Sequence, residues 1–279
     1  MRFCRLFVYS PGLLHGRILL MKKLFDVSGK IALVTGGSRG IGEMIAEGYV
    51  ANGVKTYISA RKADACDATA ARLSSLGECI SIPADLSTPA GVQALADEIK
   101  TRETQLDILV NNAGATWGAP IEEFPDSAFD KVMNLNVKGP FLMVQALLPL
   151  LEAAASPGDP ARIINVGSVD GLNVSRLPTF SYGPSKAAVH HLTRTLATHL
   201  ADRNITANAI APGPFPSKMT AGIQRTIGDE ITAGVPLKRW GEPADMAGAA
   251  IYLASKAGSY VDGVILPVDG GIIAAAGTL

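Results

Sequence analysis

The sequence predicts a doubly wound α/β fold, a parallel sheet of about seven strands with helices on both faces in a single domain, and three observations carry that expectation. Short β-branched runs alternate with longer helical stretches, which implies right-handed crossovers between parallel strands. Several of these runs are apolar at consecutive positions, as strands covered on both faces are. The 279 residues, 48% of them hydrophobic, suffice for one large core, and no linker, repeat or low-complexity tract divides them.

Taken in order, the first strand is IALVT (31–35), followed by a glycine turn and a helix over 40–52. TYISA (56–60) precedes a helix over 64–76, and CISIP (79–83) precedes one over 88–103. DILVN (107–111) leads to a long helix over 127–151, and RIINV (162–166) to another over 182–202. TANAI (206–210), a helix over 244–254 and VILPV (264–268) complete the pattern. ASPGDPA (155–161) reads as a surface loop. The stretch 212–236 reads as irregular and long for a connection inside a compact domain, hence as a mobile substrate lid.

Residues 1–23 stand apart, with Arg2, Arg5, Arg17, Lys22 and Lys23 and no acid. Pro11, His15 and Arg17 interrupt the apolar run that a signal peptide needs, and serine is scarce for a transit peptide. The preferred reading is an upstream extension with the functional start at Met21, so that 24–279 form the domain.

Charge and composition narrow the function. The 25 basic and 25 acidic residues cancel and no basic stripe is interleaved with aromatics, which argues against a nucleic-acid partner. Cys4, Cys66 and Cys79 are odd in number, without ligand spacing, and read as reduced thiols of a cytoplasmic protein. The most apolar stretch, FLMVQALLPLL, contains Gln and Pro and falls short of the ~20 residues of a membrane span. No cluster of His, Cys and carboxylates suggests a metal. A small-molecule substrate is the remaining class.

TGGSRGIG, from Thr35 to Gly42, lies between strand and helix, the setting in which a glycine turn holds a pyrophosphate on helix amino-terminal amides. Gly36, Ser38, Arg39, Gly40, Ile41 and Gly42 are the candidate contacts of a Rossmann-type dinucleotide site. After the second strand the chain reads ISARK. Ala60 stands where an acid would bind a ribose 2'-hydroxyl, and Arg61 and Lys62 follow, so NADP(H) is expected over NAD(H). Asp85 with Leu86 in ADLS, and Asn112, Ala113 and Gly114 in NNAG, end the third and fourth strands, where such a sheet binds its ligand. Asp85 has two open readings, an acceptor for the adenine amino group or the N-cap of the next helix.

Tyr182 and Lys186 are four apart and share a face if the helix has begun, and Pro184 marks its first turn. A phenol near 10 is a poor acid-base group at neutral pH, and a neighbouring ammonium would lower it. Ser168, at the end of a strand, can donate to a substrate oxygen as charge develops there. Asn136 could anchor a water that passes the proton onward. Trp117, Leu172, Phe215, Met219 and Trp240 could line a pocket or pack the core, whereas His190 and His191 read as helix packing.

TGGSRGIG, ADLS, NNAG, NLNV, Gly167-Ser168, YGPSK, APG (211–213) and PVDGG (267–271) together resemble the short-chain dehydrogenase/reductase family from about Leu24 almost to the carboxyl terminus. The resemblance implies a catalytic tetrad of Asn136, Ser168, Tyr182 and Lys186, with Lys186 and Tyr182 also at the nicotinamide ribose. It implies further cofactor contacts at Pro212, Gly213, Phe215 and Ser217, a seven-stranded sheet, and usually a homotetramer built through the two long helices. The 14-residue step from Ser168 to Tyr182, NNAG-x-x-WG, APG-x-FPS-x-MT and RWG-x-P are similar to the rhamnolipid-pathway branch of NADPH-dependent β-ketoacyl reductases. That branch implies reduction of a 3-oxoacyl-type ketone, with Trp117, Ser168 and Tyr182 at the substrate. A sugar, polyol or other secondary-alcohol dehydrogenase is the alternative within the family. A non-catalytic nucleotide-binding regulator is a third class, and the intact tetrad speaks against it.

Overall fold

A computed structural model describes residues 21, 23–175, 177–218 and 220–275. The expectations placed on residues 1–20, on Lys22 and on Met219 lie outside the described residues. The seven strands are β1 (Ile31–Thr35), β2 (Lys55–Ser59), β3 (Cys79–Ser81), β4 (Ile108–Asn111), β5 (Ala161–Val166), β6 (Ile205–Pro212) and β7 (Ile265–Val268). All pair in parallel, in the order β3-β2-β1-β4-β5-β6-β7. The order reverses between β1 and β4, and the crevice at the strand carboxyl ends beside that reversal is where this architecture binds ligands.

The helices are α1 (Gly40–Ala51), α2 (Ala63–Leu73), α3 (Pro89–Arg102), α4 (Asp126–Met133), α5 (Gly139–Ala154), α6 (Tyr182–Leu200), α7 (Ala221–Gly234), α8 (Pro243–Ala254) and α9 (Ile272–Ala275). Strand side chains alternate between two cores. Val34, Val110 and Ile164 meet Ile45 and Tyr49 of α1 and Met246 and Leu253 of α8. Leu33, Leu109 and Ile163 face the other way, against α3, α5 and the end of α6.

Two elements differ from expectation. The single helix expected over 127–151 is α4 and α5 joined by a π turn, Asn134–Lys138, and that turn carries Asn136. The combined rod is long and apolar enough to cross a membrane by length and composition alone. Met143, Leu147, Leu150 and Leu151 nevertheless pack into the core, which accounts for its hydropathy. The stretch 212–236, expected to be irregular, instead contains α7. Ile223, Ile227 and Ile231 recur every four residues, a helical period that Gly222, Gly228 and Gly234 obscured in the sequence. The helix kinks at Ile227 (φ −132°, ψ 23°), and none of its described residues is buried.

At the amino-terminal end of the sheet, the buried Arg162 guanidinium donates to the Leu253 and Ser255 carbonyls at 3.2 and 3.1 Å and pairs with Asp159 at 3.3 Å. Charge at that end joins β5 to α8. Cys66 and Cys79 are buried, and burial pushes both thiols up. The polar side chains with chemistry to offer gather at the opposite end.

Candidate active site

The glycine turn connects β1 to α1 with Gly36 and Gly40 at φ +68° and +57°. Arg39 sits at the N-cap in an extended conformation and its side chain makes no cap hydrogen bond, so the amides of the first helical turn point at the crevice without a side-chain partner. The turn is braced from β4. Asn112 donates its amide to the Thr35 and Gly36 carbonyls at 2.9 and 3.2 Å, and Thr35 Oγ1 accepts the Asn112 and Ala113 N–H groups at 2.9 and 3.1 Å. Ser217 is close as well, since a Cβ on Gly40 would lie 3.1 Å from Ser217 Cβ.

Arg39, Arg61 and Lys62 are exposed, and none forms an ion pair among the described residues. Ala60 brings no acid between them, so the crevice offers uncommitted cations where a 2'-phosphate would lie. With the bare amides of the glycine turn, these residues fit NADP(H). Asp85 is exposed and accepts from the Ser87 N–H and hydroxyl at 3.0 and 2.7 Å, which holds its carboxyl below the usual range. It does not cap the following helix. Thr88 does, accepting from Gly91 N–H at 3.1 Å. Leu86 is buried in the core, which leaves only its backbone to a ligand.

Asn136 was expected to anchor a water, but its side chain is already committed. Oδ1 accepts from Ala115 N–H at 2.8 Å, and Nδ2 donates to the Ala115 carbonyl at 3.0 Å and to Ser185 Oγ at 2.9 Å. Ser185 Oγ donates in turn to the Tyr182 carbonyl at 2.7 Å. Both amide hydrogens are used, and Asn136 clamps the loop after β4 to the start of α6. The π turn makes this possible by turning a polar side chain of a long apolar rod inward.

Lys186 reaches under Gly114 and donates to the Val166 carbonyl at 2.8 Å, and burial lowers it to about 8. Its Nζ lies 5.6 Å from the centroid of the Tyr182 ring. Ser168 follows β5 and accepts from Asp170 N–H at 3.1 Å. The three groups expected to act together are therefore brought together. The expected lowering of the Tyr182 pKa does not occur: burial raises the phenol to about 12, hydrogen bonding with Ser168 opposes that rise, and Asp170 adds to it. Lys186 is not among the groups that shift the neutral phenol.

Tyr182 is thus a neutral phenol throughout the neutral range. With Tyr182 as the expected proton donor and a charged Lys186 beside it, reduction is expected to hold steady through neutral pH and to slow as pH rises through about 8, where Lys186 loses its proton. Initial rates of NADPH consumption across that range test this, and a reduction rate that climbs above pH 8 would contradict it.

Pro212 ends β6, and Gly213 follows it with its N–H donating to the Val268 carbonyl at the end of β7, at 3.0 Å. The Phe215 ring is buried in the core against Gly241, which leaves its backbone to meet a ligand. Ser217 shares hydrogen bonds with Thr220. Trp117 and Leu172 are partly exposed on the loops after β4 and β5, while Trp240 donates to Thr232 Oγ1 at 3.0 Å and ties α7 down. Sequence reasoning missed Thr35, Ser185 and the buried chain in which Asn111 donates to Asn165 at 3.0 Å and Asn165 to Thr193 at 2.9 Å. Asparagines inside otherwise apolar strands were the available signal, since buried amides need partners.

A family model described as enoyl-(acyl carrier protein) reductase matches residues 36–273. The rhamnolipids biosynthesis 3-oxoacyl-[acyl-carrier-protein] reductase of Pseudomonas aeruginosa is 51% identical over 90% of this chain and 99% of its own. Among solved structures, the Pseudomonas aeruginosa RhlG/NADP active-site complex is 50% identical with a TM-score of 0.87, covering 90% of this chain and 99% of its own. A gluconate 5-dehydrogenase from Beutenbergia cavernae, described as putative and NAD(P)-dependent and solved with bound NADP, is 35% identical with a TM-score of 0.84, over 90% of this chain and 99% of its own.

Proposed function

As the chain belongs to the short-chain dehydrogenase/reductase family and is an NADP-dependent oxidoreductase, we propose that it reduces the ketone of a 3-oxoacyl thioester to a secondary alcohol. The observation that carries this reading is the apolar rim flanking Tyr182. Trp117 and Ile121 on the loop after β4, and Leu172, Val174, Leu177 and Phe180 on the segment between Ser168 and Tyr182, are all exposed. Ala119 N–H donates to the Pro178 carbonyl at 3.1 Å, and Phe124 meets Phe180 edge to face, so the two segments form one wall. Such a rim suits an acyl chain and gives a polyhydroxylated sugar few partners.

NADPH, when bound, supplies the hydride. Ser168 donates a hydrogen bond to the substrate oxygen, and Tyr182 transfers its phenolic proton to that oxygen. Lys186 stabilises the resulting phenolate while Val166 holds its ammonium in place. Asn136 keeps Ala115 and the start of α6 in register.

A screen of NADPH oxidation across β-ketoacyl thioesters, cyclic ketones, quinones and keto-sugars tests the substrate. Turnover of the thioesters is expected, and rapid turnover of the keto-sugars alone would replace this reading with that of a sugar dehydrogenase. The cofactor prediction concerns Arg61. Loss of one charge-assisted hydrogen bond amounts to about 1.5 to 3 kcal/mol, so Arg61→Ala is expected to weaken NADPH about ten- to a hundredfold and leave NADH unchanged. Separate fluorescence titrations of the two cofactors check it.

The proposal extends to a cytoplasmic homotetramer. Phe129 and Phe141, large apolar side chains exposed on α4 and α5, and the exposed face of α6 support association through these helices. Light scattering on the purified chain tests the stoichiometry, and fractionation of the producing cell tests the compartment.

A further inference from the structure

His190 lies one helical turn beyond Lys186 on α6, beneath the turn that carries Ser168, and its ring is 3% exposed. Nε2 accepts the Ser168 backbone N–H at 3.4 Å. The imidazole also fills space that two glycines leave free. A Cβ on Gly167 would come within 2.1 Å of Nε2, and one on Gly171 within 2.7 Å of Cε1. Gly171 itself abuts the backbone of α6, where its Cβ would lie 2.7 Å from the Lys186 carbonyl carbon. Gly167 N–H donates to the Ile210 carbonyl of β6 at 2.7 Å, and within the turn Asp170 N–H donates to Ser168 Oγ at 3.1 Å and Gly171 N–H to the Ser168 carbonyl at 3.0 Å. His190 therefore ties the backbone of the Ser168 turn to the helix bearing Tyr182 and Lys186, beside the hydrogen bond between the Ser168 and Tyr182 side chains.

We propose that His190 is a positioning residue for catalysis, fixing the Ser168 hydroxyl against Tyr182 by accepting the Ser168 N–H with a neutral imidazole. The acceptor role puts the ring proton on Nδ1, which is buried without a partner of normal hydrogen-bond geometry. A second proton, on Nε2, would set a donor against the Ser168 N–H and push the turn away. Its surroundings guard against that. Burial is the largest influence keeping the ring neutral, down to about 4. The Gly171 backbone favours the charged form, whereas Lys186 and Arg194 on the same helix disfavour it. A packing histidine needs none of this. An apolar ring of the same size would fill the space equally well, but it would leave the Ser168 N–H buried without an acceptor.

The inference rests on the role given to Ser168 above, and a double-mutant comparison separates the two. With acetoacetyl-CoA and NADPH, His190→Leu is expected to lower kcat about ten- to a hundredfold, because small misplacements of a catalytic group cost that much. KM and NADPH affinity should stay near the parent values. His190→Gln, which keeps an acceptor, should recover most of the rate, and its turnover should not fall as the parent's does when pH drops toward about 4. Ser168→Ala combined with His190→Leu should be no slower than Ser168→Ala alone. Multiplying losses in the double variant, or parental kcat in His190→Leu, would overturn the positioning role. Parental turnover in Ser168→Ala would instead overturn the role of Ser168, and this inference with it. Circular dichroism and NADPH titration on each variant show that the compared proteins are folded.

Discussion

Tyr182→Phe is expected to lower kcat for reduction about a thousandfold while NADPH binds as in the parent. The phenol is the proton donor at the reacting oxygen, and burial keeps it protonated at neutral pH, at about 12. Ser168 can hydrogen-bond the same oxygen, yet an alcohol gives up a proton far less readily than a phenol, so it polarises without replacing the donor. Phenylalanine preserves the ring, its packing on α6 and its 5.6 Å approach to the Lys186 ammonium. The substitution therefore removes one oxygen and little else. Steady-state turnover with acetoacetyl-CoA, paired with a fluorescence titration of NADPH, separates chemistry from binding. Activity close to that of the parent, with cofactor bound, would refute the assignment of the proton to Tyr182.

The parts of this molecule that were legible in the sequence are those set by local spacing. Apolar runs placed all seven strands to within one or two residues at most ends, and four-residue spacing with Pro184 placed Tyr182 and Lys186 on one helical face. The glycine turn was readable because its strand-turn-helix setting is contiguous. What escaped depends on distant partners. α7 was hidden because its isoleucines are diluted by glycines. The π turn at Asn136 is marked by no proline or glycine within it, and Asn136 came to clamp Ala115 through contacts 21 residues away. The protonation of Tyr182 went the opposite way from a reading of its nearest charged neighbour, because the depth of burial is a property of the finished fold. His190 looked like packing for the same reason: nothing near it in the chain announces that Ser168 lies above it, 22 residues back.

The second large effect is expected at the glycine turn, where Gly42→Ala should cost more than a hundredfold in NADPH affinity. A Cβ there would lie 2.4 Å from the Gly36 carbonyl oxygen and 2.4 Å from Asn112 Nδ2, both closer than atoms can approach. The Gly36 carbonyl is main chain at the end of β1 and cannot swing aside. Asn112 could move only by giving up its bonds to the Thr35 and Gly36 carbonyls, which brace the turn from β4. Either way the start of α1 shifts from the line along which its free amides meet a pyrophosphate. Losing two such charge-assisted hydrogen bonds, at about 1.5 to 3 kcal/mol each, gives a loss of two to four powers of ten. Overpacking adds about 1 to 3 kcal/mol of destabilisation, which is visible as a lower melting temperature. Gly222→Ala provides the contrast. The same methyl group added in α7 meets nothing within 4 Å, so that variant should melt at or slightly above the parent temperature and bind NADPH normally. If Gly42→Ala binds NADPH as Gly222→Ala does, the amides of α1 are not what holds the cofactor's phosphates.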